Sequence, residues 1–334
     1  MSKCMSCLSA SKKTTNGYCA RCIKTLFGGI APSSLNFDKK EFYAKRVELS
    51  DRMSLSGVQD KISLDFRGND LATVSTNGRY ILKPIPRNSE NFKNVDDIVA
   101  NEHVSMQISK QIFKINTAES GLVRFSDGEL AYITKRFDYL ENGEKYDQED
   151  FASLLQVTSA THGDEYKYSA KTYTDCMRAI KRYSATSILN VNDFFKRIVL
   201  NYLIANGDAH LKNFSLYSIP SKKDFMLTPN YDVLNTRIHL DNESSDTAME
   251  LFEETTQEFD TIGFHTFADF KKLANYFGIP DRQFDRIIKQ FYKEEAKVYA
   301  LVDRSFLSDS IKKKYKETYQ DRLEKRLKYK IPTL

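Results

Sequence analysis

The first half of the chain contains short runs in which hydrophobic and polar residues alternate, as they do in half-buried β-strands. Five such runs are KISLDF (61–66), LATVS (71–75), YILKP (80–84), GLVRF (121–125) and LAYITKRF (130–137). Asn77–Gly78 and Asp127–Gly128 are dipeptides typical of hairpin turns. Between the two groups of strands, Asp96 or Asp97 is a candidate N-cap for a helix that ends near Phe113. The pattern therefore predicts a small antiparallel sheet interrupted by one helix.

From Asp150 onward, most hydrophobic residues recur at helical spacing. We predict that Asp193 caps a helix whose apolar positions include Phe194 and Ile198. Two short strands follow, NFSLYSI (213–219) and DFMLTP (224–229). The remainder is typical of three amphipathic helices, the first of which is closed by Gly278 and Pro280.

This order of elements predicts an α+β chain with a small β-rich N-lobe and a larger, mostly helical C-lobe. The predicted divisions are a cysteine-rich segment at 1–27, the N-lobe at 28–137 and the C-lobe at 138–334. The stretch LFGGIAPSSLNFD (26–38) has paired glycines and a proline, and is typical of a linker.

Composition narrows the class of protein. Hydrophobic residues make up 41% of the 334 residues, which is typical of a folded globular chain. No apolar run is long enough to span a bilayer, and the N-terminus lacks the apolar core of a secretory signal. We therefore expect a cytoplasmic protein without membrane contact. The net charge of +5 is modest and does not require a nucleic-acid partner.

Four of the five cysteines lie in the first 22 residues, as Cys4-x-x-Cys7 and Cys19-x-x-Cys22. Two such pairs, with eleven residues between them, suit a tetrahedral Cys4 zinc site, and four protein ligands indicate a structural ion. A disulfide pair or unliganded thiols are the alternatives. Cys176 stands alone and is expected to be a small buried residue.

Residues typical of phosphoryl transfer occur in order along the chain. That chemistry uses a lysine for the nucleotide phosphates, an acid that orients it, a catalytic Asp, and Asn and Asp ligands for magnesium. Lys83 ends a predicted strand, and Glu102 lies nineteen residues later, within the next predicted helix. Asp208 follows a predicted helix, and Asn213 comes five residues later, the interval of a D-x-x-x-x-N catalytic loop. Asp232 follows a strand, where a second magnesium-binding Asp is expected.

Each of these residues is a weak signal by itself. A lysine at a strand end is usually solvated, and Asp208 beside a glycine is equally typical of a turn. His210 is more often a packing or hydrogen-bonding histidine than a ligand, so we assign it a supporting role. The order of the five residue types nevertheless favours an ATP-dependent kinase. The segment YITKRFD (132–138) lies between the lobes, where backbone groups would hold adenine.

Six segments resemble the HipA-like serine/threonine kinases, which are the toxins of bacterial HipA–HipB toxin–antitoxin pairs. The segments are LSGVQDK (55–61), YILKP (80–84), NEH (101–103), RFD (136–138), GDAHLKNFSLY (207–217) and LTPNYDVL (227–234). The resemblance extends over about residues 50–310. The length is similar to that of the short HipT-like branch, in which a separate small protein supplies most of the N-terminal β subdomain. The Cys4 segment with CIKTLFGG (22–29) resembles the start of some short relatives.

This resemblance implies a role for each matching position. Asp208 would be the catalytic base that orients the substrate hydroxyl. Asn213 and Asp232 would bind Mg²⁺, Lys83 would contact the phosphates of ATP, and Phe137 would flank the adenine. Lys61 and Lys135 are further candidate nucleotide contacts, although the best-known member has an acid at the position of Lys135.

The resemblance also implies that the loop containing Ser54, Ser56 and Gly57 covers the phosphates and is autophosphorylated on serine. Ser56 aligns best with the modified position, and Ser54 is the second choice. About two negative charges there would repel the phosphates of ATP and switch the enzyme off. Without the resemblance these serines would be interpreted as turn residues, because a single glycine makes a poor phosphate loop.

The partners implied by the resemblance are a protein substrate such as an aminoacyl-tRNA synthetase, a HipB-like antitoxin and a HipS-like small subunit. DNA would be reached only through the antitoxin. Two other classes stay open. A small-molecule kinase of the aminoglycoside or choline type uses G-D-x-x-x-x-N at the same spacing. A non-catalytic regulator would bind nucleic acid through the zinc knuckle and a basic tail that carries Tyr315, Tyr319 and Tyr329.

Overall fold

The structure is a computed structural model that describes residues 2–11, 13–49, 60–87, 92–140, 142–220, 222, 224–240 and 246–329. Ser54, Ser56 and Gly57 lie outside the described residues, so their predicted roles stay predictions. Within the described ranges, no helix is both long and apolar enough to cross a bilayer.

The described residues form ten strands and thirteen α-helices. The strands are β1 (Ser2–Lys3), β2 (Ala10–Ser11), β3 (Ile62–Arg67), β4 (Asp70–Thr73), β5 (Tyr80–Lys83), β6 (Ser120–Arg124), β7 (Leu130–Lys135), β8 (Asp147–Asp150), β9 (Ser215–Ser218) and β10 (Met226–Leu227). The helices are α1 (Ala20–Phe27), α2 (Lys39–Leu49), α3 (Ile98–Gln107), α4 (Phe151–Leu154), α5 (Ser159–His162), α6 (Tyr166–Ser169), α7 (Tyr173–Tyr183), α8 (Ser187–Leu203), α9 (Gln257–Ile262), α10 (Phe267–Tyr276), α11 (Asp281–Lys293), α12 (Glu295–Asp303) and α13 (Asp309–Gln320). Helices α3 and α13 continue as π-helical turns, at Ile108–Ile112 and Asp321–Leu327.

The N-lobe is built on a five-stranded antiparallel sheet with the order β4-β3-β5-β7-β6. Lys83 pairs directly with Tyr132, so both side chains lie on one face of the sheet, and this face is covered by α3. Tyr80 and Leu82 point to the opposite face. There Phe27 of α1 packs against Tyr80, with ring centroids 5.9 Å apart. The sheet is therefore enclosed by helices on both sides.

The N-terminal segment, called the knuckle here (residues 2–27 except residue 12), docks against the outer edge of β6. The Leu122 amide donates to the Met5 carbonyl at 2.8 Å, and the Ser6 hydroxyl donates to the Ser120 carbonyl at 2.8 Å. Gly121 permits this approach, because a Cβ there would lie only 3.3 Å from the Met5 carbonyl oxygen. The knuckle thus covers an edge strand that would otherwise present unpaired backbone groups.

Helix α3 is buried along its whole length, although half of its residues are polar. The polar members, Asn101, Glu102, His103, Ser105 and Gln107, all have hydrogen-bond partners. A buried polar side chain without a partner is costly, so each of these bonds fixes the helix against a neighbouring element. The helix is therefore a hub between the knuckle, the sheet and the C-lobe.

The C-lobe packs its helices around α8. Phe194 and Phe195 of α8 are fully buried, and α8 contacts α7 and the π-helical turn after α13. A three-stranded antiparallel sheet with the order β10-β9-β8 lies beside it. The loop between α8 and β9 contains Asp208 and Asn213, two of the residues that the sequence predicts to be catalytic.

Some predicted local details are confirmed and others are wrong. Asp127–Gly128 does turn a hairpin between β6 and β7. Asn77–Gly78 does not, because β4 and β5 both pair with β3 and not with each other. The connection crosses β3 at Gly78, where a Cβ would lie 2.9 Å from the Leu64 carbonyl oxygen. The glycine is thus needed for a close crossing and not for a two-residue turn.

Asp193 and Asp97, which the sequence offers as N-caps, do not cap their helices. Helix α8 begins at Ser187, so Asp193 lies inside it and accepts a hydrogen bond at 2.6 Å from buried Arg197. Asp97 precedes α3 without a capping bond and instead accepts from the amide and hydroxyl of Ser308. Asp193 therefore pairs within its own helix, four residues apart, whereas Asp97 has a tertiary partner in place of a local cap.

The basic tail is part of the core. Tyr315 and Tyr319 are buried, and Arg322 of the following π-helical turn forms a buried ion pair with Asp246. Arg326 contacts the same carboxylate at 2.7 Å. The amphipathic-helix interpretation is therefore confirmed, and these two tyrosines are not available for stacking on nucleic-acid bases.

We predict that Asp246→Ala lowers the free energy of unfolding by about 3 kcal/mol or more, because it leaves the charge of Arg322 buried without its partner. Urea denaturation followed by circular dichroism measures the change. Asp309→Ala is the control, since it breaks only the exposed pair with Lys312 and is expected to have no measurable effect. Equal stability of the two variants would contradict the structural role of the tail.

Candidate active site

Lys83 lies at the centre of a buried ion cluster between the lobes. Its ammonium group donates to Glu102 Oε1 at 2.8 Å and to Asp232 Oδ1 at 2.5 Å. It also lies over the Tyr132 ring, 5.6 Å from the centroid. Lys83 and Glu102 are almost fully buried, whereas 36% of the Asp232 side-chain surface is exposed. The structure thus joins three of the predicted site residues, from β5, α3 and the segment after β10, in one cluster that opens to solvent at Asp232.

Burial and charge act in opposite directions in this cluster. Burial raises the pKa of Glu102 to about 7, with a smaller contribution from Asp232, and the attraction of Lys83 only partly opposes this. Burial also lowers the pKa of Lys83, but the two carboxylates outweigh it and the net pKa is raised. Burial disfavours the charge on Asp232, yet the contact with Lys83 holds its pKa below the usual value. The cluster therefore keeps its lysine charged.

Asp232 adopts a left-handed backbone conformation, with φ of 54°. This region is uncommon for residues other than glycine, although aspartate tolerates it better than most. The neighbouring segment is tied to the N-lobe side, because the Asn230 amide donates to the Asn116 carbonyl at 2.7 Å. It is also tied at Asn235, which exchanges hydrogen bonds with the side chain of Asn101 on α3. The backbone is therefore held before and after Asp232, and this directs the Asp232 carboxylate toward Lys83, between the lobes.

Asp208 and Asn213 are linked within the loop between α8 and β9. The Asn213 side-chain amide donates to the Asp208 carbonyl at 2.5 Å, which closes the five-residue interval. The Asp208 carboxylate is 45% exposed, and His210 Nε2 lies 3.6 Å from it. Gly207 donates to the Thr236 hydroxyl at 2.7 Å, so this loop lies directly beside the segment of Asp232.

One tyrosine, Tyr168, and one histidine, His210, surround Asp208. The Tyr168 hydroxyl donates to Asp208 Oδ1 at 2.5 Å, and its ring packs edge-on against His210 with centroids 4.9 Å apart. Burial lowers the pKa of His210, although the charge of Asp208 opposes this. A neutral His210 beside the carboxylate fits the supporting role that the sequence indicates.

Phe137 lies next to the cluster, on an aromatic surface that the sequence did not predict. Its ring is 5.6 Å from Tyr231 and 6.4 Å from Tyr217, measured between centroids. Tyr231 immediately precedes Asp232, so the aromatic surface continues directly into the ion cluster. The Phe137 ring plane is inclined by 33° to that of Tyr231 and by 76° to that of Tyr217, and an aromatic, apolar lining of this kind suits a nucleobase.

The two other candidate lysines occupy different positions. Burial lowers the pKa of Lys61, against the attraction of Asp232, so the charge of Lys61 acts on the cluster. Lys135 pairs with Tyr80, and its side chain therefore leaves the opposite face of the sheet from Lys83. The structure brings Lys61 to the site and does not bring the Lys135 side chain there.

The four thiols of the knuckle form a second candidate site. The sulfur atoms of Cys4, Cys7, Cys19 and Cys22 all lie within 4.8 Å of one another, and those of Cys7 and Cys19 are 3.8 Å apart. A tetrahedral ion with Zn–S bonds of about 2.3 Å separates its sulfurs by about 3.8 Å, so the thiols fit zinc. All five cysteines are free, which disfavours the disulfide alternative. Gly17 supplies the reversal between the pairs at a φ of 85°.

The comparison with known proteins identifies the family. A family model described as the HipA-like C-terminal domain matches residues 53–298, which is most of the chain. The chain belongs to the HipA-like C-terminal domain family. The predicted resemblance is therefore confirmed at the level of the family.

Two relatives of this chain are named as kinases. A protein named "Putative kinase" from Haemophilus influenzae is 28% identical over 208 residues, covering 60% of this chain and 58% of that protein. "Putative kinase Y4dM" from Sinorhizobium fredii is 34% identical over 221 residues, covering 61% of this chain and 49% of that protein. This chain thus aligns with about half to three-fifths of the length of these two relatives.

A solved structure confirms the HipA-like fold. The complex of HipA, HipB and operator DNA from Shewanella oneidensis contains a chain that superposes with a TM-score of 0.64. The match covers 90% of this chain and 74% of that chain, at 20% identity. The α+β, two-lobed architecture predicted from the order of elements, and the kinase-like fold implied by the resemblance, are thereby confirmed.

In this HipA-like chain, sequence reasoning missed Tyr168, Tyr217 and Tyr231. Tyr168 lies in a polar stretch of short helices without clear periodicity, so no local signal relates it to Asp208. Tyr231 directly precedes a predicted site residue, and its position in LTPNYDVL was the one signal available.

We predict that the raised pKa of Glu102 makes the stability of the protein depend on pH. Between about pH 4.5 and 7 the native state binds a proton at Glu102 that the unfolded state releases, so stability falls as pH rises. A shift of this size corresponds to about 3 kcal/mol at most. The free energy of unfolding of wild type relative to Glu102→Gln is therefore expected to fall between pH 5 and 8.

Urea denaturation of the two proteins over this range measures the difference, and histidines shared by both cancel in the comparison. A pH-independent difference between wild type and Glu102→Gln would show that burial does not dominate the titration of this carboxyl group.

Proposed function

We propose that this chain is an ATP- and Mg²⁺-dependent serine/threonine protein kinase and the toxin of a HipA-type toxin–antitoxin pair. The observation that carries the proposal is the contact of Lys83 with both Glu102 and Asp232, beside the loop of Asp208 and Asn213. A buried lysine that is kept charged by two carboxylates suits the binding of a nucleotide phosphate. The names of the relatives support the same class of reaction.

In the proposed reaction each residue has one task. Lys83 holds the nucleotide phosphates, and Glu102 keeps the lysine in position. Asp208 accepts a hydrogen bond from the substrate hydroxyl and orients it toward the phosphate. The oxygens of Asn213 and Asp232 are of the kind that Mg²⁺ prefers. The bound ion would neutralise charge on the phosphate oxygens as the phosphoryl group transfers.

The surroundings support these roles. Tyr168 donates to Asp208 and leaves the other carboxylate oxygen available to the substrate hydroxyl. Phe137 and Tyr231 provide the apolar surface for adenine. Tyr231 directly precedes Asp232 in the chain, so one nucleotide would contact the aromatic surface with its base and Lys83 with its phosphates.

The finer parts of the proposal rest on the family. The related HipA structure contains HipB and operator DNA, which supports a HipB-like antitoxin and an indirect link to DNA for this chain. We extend the proposal to a translation component such as an aminoacyl-tRNA synthetase as the substrate, and to a HipS-like small subunit. Ser56, or alternatively Ser54, is proposed as the autophosphorylation site. A reaction that consumes ATP favours the cytoplasm as its location.

We predict that Asp208→Asn and Asp232→Asn each lower autophosphorylation by at least about a hundredfold, because each removes a charge that the phosphoryl transfer uses. Asp208→Asn is expected to retain binding of Mg²⁺–ATP, whereas Asp232→Asn is expected to weaken it. The measurements are incorporation of labelled phosphate, intact mass before and after phosphatase treatment, and calorimetric titration with ATP.

Asp281→Ala, at an exposed acid on α11, is the control and is expected to react as wild type does. Phosphate incorporation by both cleft variants at the wild-type rate would overturn the kinase proposal. Turnover of a small metabolite far above protein phosphorylation would instead favour the small-molecule kinase class.

We also infer that the knuckle binds one structural zinc ion through Cys4, Cys7, Cys19 and Cys22. The support is the mutual distance of the sulfur atoms and the donation of the Cys19 amide toward the Cys4 sulfur at 3.4 Å. Four thiolates with no open position suit a structural ion and leave no place for a substrate.

We predict that purified wild-type protein contains about one zinc ion per chain and that Cys22→Ser abolishes this, because one of the four thiolates is lost. Elemental analysis measures the metal content. Cys176→Ser is the matched control, since Cys176 is equally buried but lies in α7, outside the cluster. Equal zinc content in Cys22→Ser and wild type would contradict the site.

A further inference from the structure

Three consecutive residues of α3 contact three different parts of the molecule. A helix advances by about 100° per residue, so neighbouring side chains leave it in different directions. The Asn101 amide donates to the Asn235 carbonyl at 2.8 Å, beside the segment of Asp232. Glu102 accepts from the β5 lysine, and His103 Nε2 donates to the Ser6 carbonyl at 2.7 Å. One turn of helix therefore connects the ion cluster with the knuckle.

The contact with the knuckle falls inside the proposed metal-binding turn. Ser6 lies between Cys4 and Cys7, and its carbonyl is the acceptor for His103. The Cys7 carbonyl accepts from Gln111, on the π-helical turn that continues α3, at 3.0 Å. Two carbonyls of one chelating turn thus hold α3, and their direction depends on how the thiols are fixed.

The knuckle is also hydrogen-bonded to the sheet. Any movement of the knuckle is therefore expected to be confined to the chelating turn between Cys4 and Cys7. The Ser6 hydroxyl donates to the Ser120 carbonyl, and the Tyr18 hydroxyl donates to the Leu122 carbonyl at 2.5 Å. His103 and Ser6 are both buried, so water does not readily replace the bond between them. A change in the turn is therefore expected to reach α3.

We propose that zinc bound by the four knuckle thiols positions Glu102 for Lys83, through the Ser6–His103 hydrogen bond, and so sets the catalytic competence of the cleft. This inference deepens the proposed kinase function and rests on it for its catalytic part. His103 is a positioning residue, because it acts through α3 and touches neither the nucleotide nor the substrate. The knuckle then regulates the same site that performs the phosphoryl transfer.

The physical basis is the coupling of metal binding to local folding. Without a bound ion, the four thiols contribute little to the stability of the two chelating turns, whereas a bound ion fixes both turns. Couplings between two sites commonly change a rate or an affinity by about five- to a hundredfold. Loss of zinc is therefore expected to loosen α3 and slow catalysis without removing any residue of the cleft.

The test compares the full-length wild type with His103→Ala, His103→Gln and Ser105→Ala, each with zinc bound and after removal by a chelator. His103→Gln keeps a donor at a similar reach. Ser105 also lies on α3, and Ser105→Ala loses a buried bond to Tyr315 of α13 but leaves the knuckle contact in place. The readouts are zinc content, hydrogen exchange of residues 98–107, and kcat and KM for ATP.

We expect zinc removal from the wild type to raise exchange in α3 and to lower kcat by about tenfold, with a smaller change in KM. His103→Ala should retain one zinc per chain, yet show the same loosened α3 and reduced kcat, with little further effect of the chelator. His103→Gln should restore the wild-type behaviour, and Ser105→Ala should keep the full response to zinc. Exchange in α10 serves as the reference for general unfolding.

Two results would overturn the proposal. One is unchanged exchange in α3 when zinc is removed, and the other is a full response to zinc in His103→Ala. Zinc content and hydrogen exchange do not require phosphoryl transfer, so they test the coupling separately from the kinase function. Exchange that follows zinc in a protein without kinase activity would support the coupling and remove the proposed function.

Discussion

Helix α3 is completely buried, so its polar side chains must find hydrogen-bond partners inside the protein, and the neighbouring elements are arranged accordingly. Helix α3 carries Asn101, Glu102 and His103 in succession, with no access to water. Each would cost free energy if left without a partner, so each must meet a specific group on a different element. The Asp232 segment, β5 and the knuckle are therefore assembled around one turn of helix, and a shift of that turn disturbs all three contacts together.

The ion cluster follows from this arrangement. Burial alone would neutralise Lys83 and Glu102, and it does raise the pKa of Glu102 to about 7. Asp232 adds the second carboxylate that keeps the lysine charged, while its own left-handed backbone is held by N-lobe contacts at Asn230 and Asn235, on either side of it in the chain. A partly exposed carboxylate beside a buried lysine is the arrangement in which a phosphate and a divalent cation are expected to meet. The aromatic surface of Phe137 and Tyr231 extends it toward a base.

The termini of the chain contribute to the same structure from opposite sides. The knuckle covers the edge of β6 and reaches α3 through backbone carbonyls. The C-terminal helix α13 reaches α3 through the Tyr315 hydroxyl, and the turn after it pairs Arg322 with Asp246. The knuckle and the basic tail are far apart in the sequence. Both are nevertheless parts of the scaffold that positions the cleft, because both contact α3.

Local sequence patterns were sufficient to predict the periodicity of the strands and helices, the order of the lobes, the family, and the residue types and intervals of the candidate site. These features are local, since a strand end, a helix and a five-residue loop interval each leave a pattern in adjacent residues. Asp193 pairs with Arg197 one turn later in the same helix, which is a local contact. The tertiary structure was needed to show that Asp97 bonds Ser308 instead of capping α3, that the connection between β4 and β5 crosses β3 at Gly78, and that the Lys135 side chain leaves the sheet on the face opposite Lys83. It also decided that Tyr168 meets Asp208 and that His103 meets Ser6. These pairs join residues 40 and 97 positions apart, so no local pattern predicts them, and the burial that makes the His103–Ser6 bond necessary exists only after the chain has folded.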